Sequence, residues 1–263
     1  MNPLPHRSFR HLIRPVLTTT RVSPSPAQFI FRLSSTMATS PAPQRRFQNP
    51  ALFICDIQTA FSKTIHNFPL LISTTQKLIR FSNILRVPIY ITTQNRQRLG
   101  NTVPELFDSS ATGPKAINNS SVPISTPLLA HSQSLGLIKA DVDKTRFSMY
   151  LAGIKESLPA NSEVCLVGIE SHICVTQTAL DLLEAGHKVY VIADAVSSSN
   201  KEEVGIALAR LRQAGAVVTS SESWMYECMG DAAVPEFKEV IKLVKDTVGD
   251  TRAGLAGSIG SKI

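Results

Sequence analysis

The segment between Cys165 and Gly186 reads CLVGIESHICVTQTALDLLEAG, and its cysteine Cys174 lies where an apolar run changes to a helical pattern. The thiolate is the reactive form of cysteine, and the first turn of a helix favours the anion through its backbone N–H groups. The same N–H groups can hold an oxyanion. Free cysteine is also among the most buried residue types, so Cys174 is either a nucleophile or a core residue.

An aspartate and a lysine elsewhere in the chain would complete such chemistry. Asp56 follows the apolar run ALFIC, and a carboxylate beside a thiol can take its proton and return it to a leaving group. Lys144 lies in DVDKTRFSMY, and a lysine near a thiolate favours the anion. Taken alone, Asp56 also fits a cap of the turn after a strand, and Lys144 fits a solvated charged segment.

Apolar runs and helical patterns alternate along most of the chain. They predict strands at 51–58, 87–94, 164–169, 187–195 and 215–222, and helices at 68–86, 173–185, 200–214 and 235–247. The strands are continuously apolar, as in a parallel sheet that helices cover on both faces. Ligands bind such sheets at the carboxyl ends of the strands, and Asp56 and Cys174 each follow one of these ends.

Three ordered motifs resemble the isochorismatase-like hydrolase superfamily, whose cysteine members use an Asp–Lys–Cys triad. ALFICDIQTAF resembles the first-strand motif, KTRFSM the lysine motif and GIESHICVTQTALDLLEAG the nucleophile motif. The resemblance therefore implies catalytic roles for Asp56, Lys144 and Cys174. It is strongest to the subgroup of isochorismatase domain-containing proteins, which includes a mitochondrial form, through QNRQRLGNTVPEL, ALARLRQAGA and GDAAVPEFKEVIKLVK.

The resemblance implies an α/β, three-layer, Rossmann-like fold with a parallel sheet of roughly six strands. It implies cysteine-dependent hydrolysis of a carbon–nitrogen bond in a small, amide-like substrate, no metal or organic cofactor, and a homo-oligomer. It also implies a cis peptide between Ile169 and Glu170, with the N–H groups of Glu170 and Cys174 as the oxyanion hole. Further candidates for the pocket wall are Phe61, His66, Gln94 and His172.

Two differences from the wider superfamily reduce the number of reactions expected for this chain. Metal-dependent nicotinamidases carry an Asp-x-His motif after the second strand, whereas this chain reads TTQNRQRLG. True isochorismatases, which cleave a vinyl ether, lack the nucleophilic cysteine. A different class of function stays open, namely a catalytically silent member of the fold that acts as a protein-binding or thiol-regulatory module.

The positive charge of the chain is confined to its N-terminal segment. The formal net charge is +7, but residues 1–50 contain seven arginines and no lysine, Asp or Glu, and the other 213 residues carry 20 basic and 20 acidic groups. This distribution argues against nucleic acid as a partner. No apolar stretch is long enough to predict a membrane span.

Composition also predicts the domain boundaries. Residues 1–47 form a basic leader and linker, with 1–36 typical of a mitochondrial transit peptide or of a merely disordered basic tail. Initiation at Met37 would give an additional cytoplasmic form. The hydrolase domain is predicted at 48–248, interrupted by a loop insertion at 108–137, and 249–263 is predicted as a disordered tail.

Overall fold

The computed structural model describes residues 45–107 and 128–258. In these ranges the strands are β1 (Pro50–Cys55), β2 (Ile89–Gln94), β3 (Ile138–Lys144), β4 (Glu163–Ile169), β5 (Lys188–Ser197) and β6 (Val217–Thr219). The helices there are α1 (Phe68–Leu85), α2 (Arg96–Leu99), α3 (Leu128–Ser134), α4 (Ala152–Lys155), α5 (Thr176–Glu184), α6 (Lys201–Gln213), α7 (Ser221–Met229), α8 (Phe237–Asp246) and α9 (Val248–Ser258). None of these helices is both long and apolar enough to cross a membrane.

The described strands form one sheet in the order β3-β2-β1-β4-β5-β6, and every neighbouring pair is parallel. Alternate side chains of β1 pack into two hydrophobic cores, one on each face of the sheet. Leu52 and Ile54 pack with α1, α7 and α8, whereas Ala51, Phe53 and Cys55 pack with α5 and α6. The predicted α/β fold with helices on both faces of a six-stranded parallel sheet is therefore confirmed.

Local sequence explains where the helices begin and end. The Asn200 side chain accepts a hydrogen bond from the backbone N–H of Glu202, which caps the start of α6. Two acidic residues lie in its first turn and two arginines in its last, matching the helix dipole. The helix α5 is followed by Gly186 at φ 84°, a left-handed conformation that glycine adopts at little cost.

Strand β3 is missing from the strands predicted by apolar runs. It is an edge strand whose residues alternate between exposed and half-buried until Lys144, so IKADVDK has the composition of a charged loop. Strand β6 is shorter than predicted, with three residues.

The predicted loop insertion at 108–137 is wrong in its last part. Residues 128–134 form α3, because Leu128 and Leu129 are buried against α1 and Ser132 donates a hydrogen bond to Asn83 Oδ1 at 2.7 Å. Because the segment is rich in Ser and Asn, its composition does not predict these buried contacts. Residues 135–137 form the turn that leads into β3, and the first part of the predicted insertion, 108–127, lies outside the described residues.

The predicted disordered tail is also wrong over residues 249–258, which belong to α9. This helix packs on α1 through polar contacts rather than through an apolar stripe. Lys77 Nζ donates to Thr251 Oγ1 at 2.8 Å, and Asn67 Nδ2 donates to the Gly257 carbonyl at 2.9 Å. The predicted tail residues 259–263 lie outside the described residues.

The domain begins earlier than the predicted residue 48. Phe47 is buried, and its ring centroid lies 5.0 Å from that of Tyr190. Arg45 donates to Glu236 Oε1 at 2.6 Å. A single phenylalanine between basic and polar residues carries no periodic signal, which is why composition placed the boundary too late. The predicted leader 1–36 lies outside the described residues.

Candidate active site

The three candidate catalytic side chains converge at the carboxyl edge of the sheet. Asp56 follows β1, Lys144 ends β3, and Cys174 lies in a turn after β4. Strands β1 and β4 are neighbours at the point where the strand order reverses direction, which is where open α/β sheets form a ligand crevice. Lys144 reaches this point from the sheet edge, past Gln94, its partner in the β2–β3 register.

Asp56 is buried, and both of its carboxylate oxygens have partners. Thr92 Oγ1 donates to Oδ1 at 2.8 Å, and Lys144 Nζ donates to Oδ2 at 2.7 Å. The backbone of Asp56 has φ 52°, a left-handed conformation that is uncommon for a residue other than glycine. This conformation turns the chain sharply at the end of β1, and the two hydrogen bonds hold the carboxylate there.

Lys144 carries a fully buried ammonium group. Besides Asp56, its Nζ donates to Gln94 Oε1 at 2.7 Å and to the Phe147 carbonyl at 2.8 Å. It also lies 3.8 Å from Cys174 Sγ. Burial alone would lower the pKa of Lys144, but the neighbouring Cys55, Asp56 and Cys174 together raise it above its ordinary value. The site therefore keeps a cation beside the sulfur.

Cys174 lies in a single π-helical turn, Ser171–Val175, that leads into α5. Its side chain is buried, with the residue 7% exposed. The peptide bond between Ile169 and Glu170 is cis, at the position that the family resemblance implies. The carbonyl of Glu170 accepts hydrogen bonds from the N–H groups of Ile173 and Val175, which fixes the turn around Cys174.

Two histidines suggested for the pocket wall meet at one serine. The backbone N–H of His66 donates to the Ser198 carbonyl at 3.0 Å. The ring Nδ1 of His172 lies 2.9 Å from Ser198 Oγ. Glu170 Oε2 accepts from the N–H and hydroxyl of the next residue, Ser199. The Ser-rich end of β5 thus supports one wall beside the Cys174 turn.

The other two pocket candidates have different surroundings. Gln94 is engaged on both ends of its amide, with Oε1 on Lys144 and Nε2 on the Thr145 carbonyl. It therefore supports Lys144 instead of offering its amide to a ligand. Phe61 lies in a short 3₁₀ turn and packs partly against the core under α1.

Sequence reasoning missed several supporting residues. Thr92 lies in an apolar strand without a motif, and Gln58 lies within the motif ALFICDIQTAF but was given no role there; the pairing of the strands brings both to the site. Gln58 donates to the carbonyls of Gln94 and Gly100 and accepts from the N–H of Gln94. Cys55 was assigned to the core, and it is buried there, in the same hydrophobic cluster as Cys174.

Acidic, histidine and cysteine side chains do not cluster into a metal-binding site within residues 45–107 and 128–258. No three or more of them lie close enough together there to hold an ion.

Comparison with known proteins identifies the family. An isochorismatase domain matches residues 50–223. Isochorismatase domain-containing protein 2 of Homo sapiens is 37% identical over 208 residues, covering 78% of this chain and 87% of that protein. The secreted isochorismatase effector Isc1 of Phytophthora sojae is 37% identical over 199 residues, covering 74% of this chain and 84% of that protein. Among solved structures, MAR1 ribonuclease of Caenorhabditis elegans is 36% identical with a TM-score of 0.60, covering 75% of this chain and 90% of that one.

The domain match spans β1 to the start of α7 and so includes all three candidate catalytic residues. The resemblance inferred from the three motifs is confirmed by this match and by the human relative. The chain belongs to the isochorismatase family, whose fold supports hydrolase-type chemistry.

Proposed function

We propose that the protein is a cysteine-dependent hydrolase of a small, amide-like substrate, with Cys174 as nucleophile. The observation that carries the proposal is the position of the Lys144 ammonium, 2.7 Å from Asp56 and 3.8 Å from the Cys174 sulfur. A buried cation stabilises a thiolate, and a buried carboxylate beside it can accept the thiol proton. These contacts give each residue of the triad a physical role.

The proposed reaction has two halves. Asp56 accepts the Cys174 proton, and the thiolate adds to the substrate carbonyl while the N–H groups of Glu170 and Cys174 stabilise the oxyanion. The C–N bond breaks as Asp56 returns the proton to the departing amine. Water then adds to the thioester and the C–S bond breaks. The carboxylic acid product is released, and Cys174 is again a free thiol, ready for the next substrate. Lys144 stabilises the thiolate and orients Asp56.

The enclosure of the nucleophile supports a small substrate. Cys174 is only 7% exposed, and its neighbours Lys144 and Asp56 are buried. A narrow, planar group such as a primary amide can reach a thiol in this position, whereas a folded protein cannot. The imidazole ring of His172, held by Ser198 Oγ, provides a polar group for orienting the substrate.

A panel of small amides, ureas and imides tests the proposal, with released amine or ammonia as the readout. Cys174→Ser and Asp56→Asn should each lower the rate by at least about 10²-fold, the usual loss when a nucleophile or general base is removed. Cys165→Ser, which changes a buried thiol in β4 on the other face of the sheet, should retain activity. Rapid acid quench and intact-mass measurement should reveal an acyl adduct on Cys174. Hydrolysis that persists in Cys174→Ser would contradict the proposal.

Ribonuclease activity is the second candidate, because the solved relative from Caenorhabditis elegans carries that name. The balanced charge of residues 51–263 does not favour a polyanion, since phosphate contacts rest on clustered Lys and Arg. Incubation of the purified protein with single-stranded RNA decides between the two. Cleavage that is lost in Lys144→Met and Cys174→Ser would support the ribonuclease, and cleavage that survives both would indicate a contaminant.

A catalytically silent role is the third candidate, because relatives are named as domain-containing or effector proteins. Replacing the native protein in cells with Cys174→Ala separates it from catalysis. A normal phenotype would favour binding, and a lost phenotype with normal protein abundance would favour chemistry. Mild peroxide with mapping of Cys174 oxidation tests the thiol-regulatory form of this role.

Assembly and location complete the proposal. We infer a homo-oligomer, because the family resemblance implies one. Light scattering on the purified protein tests it. We also infer mitochondrial targeting by residues 1–36, with a second, cytoplasmic form that begins at Met37. Mass spectrometry of native N-termini would show two species if this is right and one if it is not.

A further inference from the structure

The Lys144 ammonium has more acceptors than protons. An ammonium group has three N–H donors and no acceptor. Four oxygens lie within hydrogen-bond distance of its Nζ, namely Asp56 Oδ2 and Gln94 Oε1 at 2.7 Å, the Phe147 carbonyl at 2.8 Å and the Arg146 carbonyl at 3.1 Å. The Cys174 sulfur, at 3.8 Å, is the most distant of these partners. The sulfur therefore competes weakly with four nearer oxygens for the three protons.

The side-chain amide of Gln94 fits between Lys144 and Thr145 in one orientation. Because an ammonium only donates, the Gln94 atom that faces it is the oxygen Oε1. The nitrogen Nε2 then donates to the Thr145 carbonyl at 2.8 Å. Turning the amide over would place two donors against each other and two carbonyl oxygens against each other. Gln94 is thus a fixed, neutral acceptor for one proton of Lys144.

A second glutamine, Gln58, holds the backbone of Gln94. Its Oε1 accepts from the Gln94 N–H at 2.7 Å, and its Nε2 donates to the Gln94 carbonyl at 3.1 Å and to the Gly100 carbonyl at 2.7 Å. Gln58 is fully buried. Gln94 is also opposite Lys144 in the register of β2 and β3. The acceptor is therefore anchored at its backbone and at its side chain.

Among the oxygens around Lys144, that of Asp56 alone changes charge in the proposed reaction. Asp56 forms an ion pair with Lys144, but it becomes neutral when it takes the thiol proton, and the sulfur then becomes the anion. Hydrogen bonds to an ionised acceptor are roughly twice as strong as those to a neutral one. One N–H of Lys144 therefore comes to favour Cys174 over Asp56, while the bond to Gln94 keeps its strength.

We propose that Gln94 is a positioning residue that occupies one Lys144 proton, so that Lys144 turns a single N–H from Asp56 to the sulfur when the thiol proton passes to Asp56. The S–H bond of Cys174 breaks, an O–H bond forms on Asp56, and Lys144 remains an ammonium. Before the transfer, Gln94 keeps one donor away from the sulfur and so favours the thiol. The inference rests on the proposed function, which assigns Cys174 as nucleophile and Asp56 as base.

The ionisable groups near the Cys174 sulfur belong to three elements. They are Cys55 and Asp56 at the end of β1, Lys144 at the end of β3, and Glu170 and His172 in the turn of Cys174 itself. The side chains of α5 and α6 that enter the core beside Cys174 are apolar. Variants of Gln94 leave all of these groups in place, so a change in Cys174 ionisation should reflect what Lys144 does.

The experiment measures the alkylation rate of Cys174 by iodoacetamide against pH, mapped by peptide mass, in wild type, Gln94→Met and Gln94→Glu. Methionine removes the acceptor and frees an N–H for the sulfur, so the ionisation constant should rise at least about threefold and the midpoint fall by about half a pH unit. Glutamate is a charged acceptor that binds Lys144 more strongly, so the midpoint should rise by a similar amount. Gln76→Met removes an amide in α1 that bonds to the Glu105 carbonyl and should follow wild type.

Opposite shifts distinguish positioning from a general disturbance of the site, which would move both Gln94 variants in the same direction. Equal shifts, or profiles that superimpose on wild type in folded protein, would overturn the inference. If the shifts are opposite but no amide forms an acyl adduct on Cys174, the role of Gln94 stands and the proposed function fails. If the adduct forms but Gln94→Met does not lower the midpoint, the proposed function stands and this inference fails.

A crystal structure of Asp56→Asn tests the same step with Gln94 unchanged. Asparagine imitates the neutral, protonated form of Asp56, and the crystals should be grown above the alkylation midpoint of this variant. The distance from Lys144 Nζ to Cys174 Sγ should shorten from 3.8 Å, while that to Gln94 Oε1 stays near 2.7 Å. An ammonium that leaves Gln94, or that does not approach the sulfur, would contradict the inference even if Gln94→Met fails to fold.

Discussion

The Lys144 side chain shows how far the site depends on individual residues. Its ammonium contacts Asp56, Gln94, Cys174 and two backbone carbonyls while fully buried. Desolvating a cation is unfavourable unless its partners are well placed, and removing one partner leaves the other charge uncompensated. The buried Lys144–Asp56 ion pair therefore matters for the stability of the fold as well as for the proposed chemistry.

Lys144→Met should destabilise the protein by about 3–5 kcal/mol, because it leaves the buried Asp56 carboxylate without its counterion. Urea denaturation of the variant provides the measurement. Adding Asp56→Asn to Lys144→Met should restore part of the loss, since no unpaired charge remains. Lys139→Met removes an exposed lysine from the same strand and should change stability little. Equal stability of Lys144→Met and Lys139→Met would rule out this account.

At this scale, motifs predict the reactive residues but not those that support them. Asp56, Lys144 and Cys174 were identified because each belongs to a distinctive local sequence. Thr92 and Gln58 reach the site through the pairing of β1 with β2 and of β2 with β3, which depends on residues far apart in the chain. Propensity and periodicity are local and do not contain that information.

At the scale of elements, the central strands could be predicted from the sequence, whereas the edge strand β3 and the helix α9 could not. Strands β1 and β4 are buried on both faces and appear in the sequence as apolar runs. Strand β3 and helix α9 are held by ion pairs, hydroxyls and close backbone approach, so their sequences resemble solvated segments. Gly254 illustrates this, because a Cβ there would lie 3.4 Å from Thr74 Oγ1.

A chain that ends at Thr247 should be less stable than one that ends at Ser258 by about 2–3 kcal/mol. Without α9, the surface of α1 and β5 that this helix covers is exposed to water, and the hydrogen bonds from Lys77 to Thr251 and from Asn67 to the Gly257 carbonyl are lost. Thermal melts of the two truncated proteins compare them directly. Identical melting temperatures would mean that α9 contributes nothing to the fold.

The loop between α5 and β5 should make stability depend on pH. Burial lowers the pKa of His187, whose Nδ1 accepts a hydrogen bond from the N–H of Ser162 at 3.2 Å. The unfolded chain therefore binds the proton first on acidification, so the contribution is complete above the ordinary value of 6.5 and declines as pH falls below it.

Wild type should lose more melting temperature than His187→Asn when the pH falls from about 7.5 to about 5, because asparagine keeps an acceptor that does not titrate in this range. His131→Asn replaces an exposed histidine and should follow wild type. A steeper loss in His187→Asn than in wild type would reverse the assigned sign.

For the whole molecule, the sequence separates a basic leader from a neutral domain, and the structure moves the boundary between them. Phe47 packs on Tyr190 and Trp224, and Arg45 bonds to the Leu85 carbonyl and to Glu236. Composition cannot detect an anchor made of one aromatic side chain, because it averages over many residues. The fold therefore includes the residues that follow the basic segment.

A chain that begins at residue 48 should be less stable than one that begins at residue 45 by about 3–5 kcal/mol. The loss corresponds to removing a buried phenylalanine from an aromatic cluster. Chemical denaturation of both truncated proteins measures the difference. Full stability without Phe47 would show that the boundary predicted from composition was adequate.

The position of Lys144 on an edge strand links the reactivity of the thiol to the order in which the chain assembles. Lys144 is 88 residues from Asp56 and 30 from Cys174 in sequence, so no early, local contact can form the cluster. Segments with few buried apolar contacts open most readily in the native state, and β3 alternates between exposed and half-buried residues up to Lys144. Each transient detachment of β3 would withdraw the cation and leave Cys174 as an ordinary thiol. The alkylation rate of Cys174 can therefore report the local unfolding of β3 without an added label.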